Sequence, residues 1–128
     1  MRRGTKAYIH AELLNYQRSR NEIGRICRKL DEITMFPAYA DDYTSEERMY
    51  LQDRLRWLRR ITDAIAAADQ DMDEEQRAVL RLKFWSQKPR PTDAAIAQRL
   101  NISTSTLYRR IGQIYRHVAQ KLGMDSTV

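Results

Sequence analysis

Four side chains in the last quarter of the chain, Thr104, Ser105, Tyr108 and Arg109, have the types and spacing to meet the edges of stacked base pairs. An arginine can bond bidentately to guanine, while hydroxyl and methyl groups can meet adenine or thymine. At about 100° per residue, Ser105, Arg109, Gly112 and Arg116 fall opposite the apolar stripe of Leu107, Ile111, Ile114 and Val118, with Tyr108 and Gln113 on the flanks. Lys88, Arg90, Arg99, Arg110 and Arg116 suit a second task, neutralising phosphates and setting register without reading sequence. Arg109 and Arg110 are adjacent and can exchange these two roles. Gly112 costs about 1 kcal/mol relative to alanine inside a helix, which implies either a close backbone approach or a tolerated bend. A plain cluster of three helices with a serine cap is the competing account of the same spacing.

Charge alone fits solvated helix faces equally well, and it is spacing and charge together that favour the first account. The 128 residues carry 23 Lys and Arg against 17 Asp and Glu, a formal charge of +6. Residues 1 to 34 hold 8 basic and 4 acidic side chains, residues 35 to 73 hold 5 and 9, and residues 74 to 128 hold 10 and 4. From Lys83 to Leu122 one acid, Asp93, faces eight cations, so a polyanionic partner belongs with this segment. Catalysis lacks an inventory: Cys27 lies beside Ile23 and Leu30 on an apolar stripe, and His10 and His117 are isolated. One cysteine excludes an internal disulfide, and no metal or cofactor is expected from so few soft ligands. The start of the chain leads into polar sequence and no long apolar run follows, so no membrane partner and a cytoplasmic location are expected.

The elements that must position these residues read as all helical, since apolar residues recur at three and four and only four Gly and three Pro interrupt them. A first helix is predicted from Thr5 to Ile33 on Ile9, Leu13, Tyr16, Ile23, Cys27 and Leu30, with Arg20 as a polar interruption. Residues 34 to 43 read as a loop containing Pro37, Asp41 and Asp42. Thr44 with Glu47 forms a predicted capping box for a second helix reaching Asp69, its face set by Leu51, Leu55, Leu58, Thr62 and Ile65 and widened by Trp57 and Ile61. These two helices are expected to fold back on each other as a long hairpin. A third helix follows Asp73 and ends near Trp85, before Pro89 and Pro91. A short helix from Thr92 to Arg99, a tight turn at residues 100 to 102, and a helix from Ser103 to Leu122 complete a helix-turn-helix spacing, with small Ala97 at the crossing. The expected division is therefore a hairpin over 1–70, suited to homodimer formation, and a DNA-binding module over 71–128.

The strings DEEQRAVLRLKFW, AAIAQRLNIS and STLYRRIGQIYRHVAQKLG, which begin at Asp73 and run through Leu122 to Gly123, resemble sigma-factor region 4, departing from it in Ala95 where an acid is common. The whole layout, opening with AYIHAELLNYQRSRNEIGRI, resembles phage transcriptional regulators of the RinA and ArpU type. The resemblance implies a sequence-specific regulator of phage late or integration-related genes that binds double-stranded DNA, and it admits contact with bacterial RNA polymerase. Two other readings fit the same inventory: a DNA-packaging recognition subunit like a small terminase, and an adaptor whose sigma-like module binds polymerase.

Overall fold

A computed structural model describes residues 1–36 and 45–124. The described residues form six α-helices and one π-helical turn, with no strand. In chain order these are α1 (Arg3–Leu14), α2 (Tyr16–Met35), α3 (Ser45–Asp71), α4 (Glu74–Leu80), the π turn Arg81–Trp85, α5 (Asp93–Leu100) and α6 (Thr104–Leu122). The predicted loop from Pro37 to Tyr43 and the Thr44 cap lie outside the described residues.

The single first helix expected over Thr5 to Ile33 is two helices. Asn15 interrupts it with φ −91° and ψ 1°, the sparsely allowed bridge conformation, and its side chain makes no cap bond. Asparagine's low helix propensity makes this the natural place for a break. The interruption changes the phase of the apolar stripe. Beyond it the buried positions are Ser19, Ile26 and Ile33, flanked by half-buried Tyr16, Ile23, Cys27 and Leu30, while Arg20 is exposed.

The same interruption is a boundary in packing. Residues 1–14 and 64–128 form one unit and residues 15–63 another. These units do not coincide with the expected division at residue 70. The first fourteen residues pack with the C-terminal helices, because Ile9 and Leu13 are fully buried against α6 and the π turn. The indole of Trp85 donates to the Leu13 carbonyl (3.1 Å), satisfying an acceptor that the end of α1 would otherwise leave open.

The core of the discontinuous unit is built from Ile9, Leu13, Val79, Leu80, Phe84, Ile96, Leu107, Ile114 and Val118. Asp73 opens α4 with a capping box completed by Gln76: the Gln76 amide donates to the Asp73 carboxylate (2.7 Å) and the Asp73 amide to the Gln76 side chain (3.0 Å). At Arg81 the helix widens into the π turn, which carries Phe84 into the core and Trp85 to Leu13. Phe84 meets His10 and Tyr115 edge-to-face, and His10 Nδ1 lies 2.9 Å from the Tyr115 hydroxyl. Burial lowers the His10 pKa, Lys83 adding to this and Asp93 opposing it, while burial raises that of Tyr115, with Asp93 adding. A neutral imidazole accepting from a protonated phenol fits both directions.

In the unit of residues 15–63, Arg54 grips both carboxylate oxygens of Glu22 (3.1 Å each), and Arg59 donates to Cys27 Sγ (3.4 Å), tying α2 to α3. Leu58, Ile61 and Thr62 of α3 are buried. Trp57, expected to extend that apolar face, is 42% exposed.

Candidate nucleic-acid interface

Local chemistry fixes both ends of α5 and the start of α6. The Thr92 hydroxyl accepts from the Ala95 amide (3.2 Å) to open α5. Asn101 closes it in the left-handed region, φ 56° and ψ 45°, which asparagine tolerates better than most side chains. The Ile102 amide then returns to the Ala97 carbonyl (3.0 Å). After the connection Asn101–Ile102–Ser103, the Ser103 hydroxyl accepts from the Thr106 amide (3.0 Å) and α6 begins.

Burial of Ile96 and Ala97 on α5, and of Leu107, Ile111, Ile114 and Val118 on α6, leaves one side of α6 free for solvent. Thr104, Ser105, Tyr108 and Arg109 are exposed there, in its first two turns. Thr106 organises this end. Its Oγ1 lies 2.9 Å from the Ser103 hydroxyl and accepts from the Arg109 guanidinium at 3.3 Å, so three residues spaced by three form one hydrogen-bonded row. Sequence reasoning passed over Thr106, although the 103, 106, 109 spacing was the available signal.

The cations sort into two classes. Of the eight between Lys83 and Leu122, Lys83 pairs with Asp93 (2.8 Å), Lys121 with Asp71 (2.6 Å) and Arg110 with Glu75. Lys88, Arg90, Arg99, Arg109 and Arg116 are exposed, and no ion pair engages them among the described residues. Arg110 thus departs from the expected phosphate set: it is held between Glu75 of α4 and the Gln113 side chain (3.3 Å), and Gln76 donates to the same Gln113 oxygen (2.9 Å). This network locks α4 onto the flank of α6. Of the adjacent pair, Arg109 is exposed and Arg110 is engaged. A Cβ placed on Gly112 would meet no atom within 4 Å, so no close approach inside the chain accounts for this glycine.

The other chemically reactive groups have separate surroundings. His10 is engaged by Tyr115, Cys27 by Arg59, and His117 borders a polar depression with Gln76, Gln113, Arg116 and Gln120. Among the described residues no group of three or more His, Cys, Asp or Glu could hold a metal ion, and no helix is long and apolar enough to cross a membrane. Comparison of the chain with protein-family models, with curated proteins and with solved structures finds no match.

Proposed function

We propose that the chain is a sequence-specific regulator that binds double-stranded DNA, with α5 and α6 acting as a helix-turn-helix and α6 entering the major groove by its N-terminal turns. One observation carries this reading: Thr104, Ser105, Tyr108 and Arg109 stand exposed at the start of a helix whose opposite side is buried, and Thr106 holds Arg109. In this reading Arg109 bonds a guanine edge, Thr104, Ser105 and Tyr108 contact neighbouring bases, and Lys88, Arg90, Arg99 and Arg116 take phosphates. The +6 charge supports a polyanionic partner, and the pairing of Arg110 leaves it a structural task.

The finer fold belongs to the same proposal. α2 and α3 form the legs of a hairpin through which two copies associate, giving two reading helices a fixed half-site spacing. The exposed Met35, Met49 and Tyr50 support an apolar contact from that unit. The place of action is the bacterial cytoplasm, in regulating phage or prophage genes, with RNA polymerase as a further partner on the strength of the sigma-like strings. The test is selection of bound duplexes from a randomised pool by the purified protein, then gel shifts of the enriched and scrambled sequences at one salt concentration. An enriched motif bound at least about tenfold more tightly than its scramble supports the reading, and equal binding of the two overturns it.

A further inference from the structure

The unit of residues 15–63 carries a second cationic surface, on α2. Between Gln17 and Lys29 this helix holds five cations, Arg18, Arg20, Arg25, Arg28 and Lys29, all exposed, and one acid, Glu22. An ordinary solvated helix offsets such charges by acids three or four residues away. Glu22 is spaced to serve Arg18 and Arg25, but both its oxygens are taken by hydrogen bonds from Arg54, which, against burial and with Arg25 adding through its charge, hold its pKa below the usual carboxylate range. Asp31 and Glu32 lie a turn beyond Arg28 and Lys29, yet no ion pair joins them among the described residues.

The geometry of the helix aligns four of these five charges, Arg20 lying apart over the Tyr16 ring. At about 100° per residue, Arg18, Arg25 and Lys29 share one row with Glu22, whose charge Arg54 balances, and with Glu32 at its far end, while Arg28 stands beside it on the side opposite buried Ile26. The row spans about 16 Å at 1.5 Å per residue. The outward ridge runs Gln17, Asn21, Gly24 and Arg28 before Asp31 continues it; Gln17 donates to the Asn21 side-chain oxygen Oδ1 (3.2 Å), which leaves the Asn21 amide group as a donor toward solvent. We infer that this face of α2 is a second phosphate-binding surface, which takes the sugar–phosphate backbone of duplex DNA without regard to sequence. A regularly spaced polyanion fits a rigid row of guanidinium and amide donors better than an isolated anion does. The inference goes beyond the reading of α6 and uses none of its residues.

The test compares the full chain with the quadruple variant Arg18→Gln, Arg25→Gln, Arg28→Gln, Lys29→Gln, since glutamine keeps helix propensity while removing charge. Anisotropy of a labelled mixed-sequence duplex of about 40 base pairs, titrated between about 50 and 200 mM KCl, yields the slope of log affinity against log salt. The variant should lose at least about tenfold in affinity at the lower salt, and its slope should fall by about 3.6, near 0.9 for each of the four phosphates no longer neutralised. The pair Arg18→Gln, Arg25→Gln should lose about half as much, with helical circular dichroism retained in both. An unchanged slope in a variant that keeps its helical signal overturns the inference. So does a loss confined to polyglutamate or to anionic phosphatidylserine vesicles. The two readings fail separately: a pool selection without an enriched motif removes the role of α6, whereas an enriched motif with an unaltered salt slope removes that of α2.

Discussion

Arg110 is bound by Glu75 and Gln113, whereas Arg109, one residue earlier, is exposed and touches the Thr106 hydroxyl. Two adjacent arginines thus divide between holding the helix and facing outward. Arg110→Ala should lower stability by about 1 kcal/mol in urea denaturation, because a partly buried ion pair and its amide neighbour are lost. Arg109→Ala should stay within about 0.5 kcal/mol of the parent in the same assay, as expected for an exposed site. In gel shifts the order reverses: Arg109→Ala costs about 1 to 3 kcal/mol of preference for the selected duplex over its scramble. Equal losses on both duplexes would count against base contact by Arg109.

Ser103→Ala removes both the cap of α6 and a neighbour of Thr106, so it should destabilise by about 1 kcal/mol and also reduce duplex preference. Ser103→Asp keeps a capping oxygen, and its unfolding midpoint should match the parent's closely. A destabilised Asp variant would show that capping is not what Ser103 supplies.

The His10–Tyr115 contact makes stability pH-dependent. The His10 pKa lies below its ordinary value of 6.5, chiefly through burial and then through Lys83, with Asp93 opposing. The unfolded chain therefore binds the proton first, and stability is constant above the ordinary value and declines as pH falls through it. Melting temperatures between about pH 8 and pH 5 should show that decline, and His10→Gln, which can still accept from Tyr115, should flatten it. An identical acid decline in His10→Gln would assign the effect to other groups.

Gly112 lies inside α6 with open space where a methyl group would stand. Gly112→Ala should therefore raise stability by about 0.5 to 1 kcal/mol, read from thermal or urea unfolding. A loss of stability would contradict the open surroundings of this residue.

Self-association is expected to depend on the apolar side chains of residues 15–63. Sedimentation velocity at micromolar concentration should show a species of twice 15.2 kDa, and Tyr50→Asp, at a residue 66% exposed, should shift it toward the single chain. A lone 15.2 kDa species at every concentration would remove the dimer from the proposed function.

What could be read in advance follows the range of the interaction. Asp73, Thr92, Ser103 and Gly123 act within three or four residues of themselves, and each stands at the helix end where its chemistry placed it. The exposed face of α6 was legible for the same reason, because its apolar stripe repeats without interruption from Leu107 to Val118. Asn15 was not, since Ile9, Leu13 and Tyr16 keep helical spacing up to and across it and conceal that the two stretches serve different cores. The engagement of Arg110 was not legible either, because its partner Glu75 is 35 positions away, where no spacing rule reaches. Charge counts share this weakness: the carboxylate of Glu22, at helical spacing from Arg18 and Arg25, is gripped by Arg54 from 32 positions away.

The union of residues 1–14 with 64–128 has a consequence for synthesis. The opening helix leaves the ribosome long before Tyr115 exists to receive His10, so Ile9 and Leu13 must wait, uncovered, until α6 has been made. Residues 15–63, being continuous, can assemble in the interval. Completion of the larger core is thereby deferred until α6 has emerged, whereas the smaller unit has no such delay.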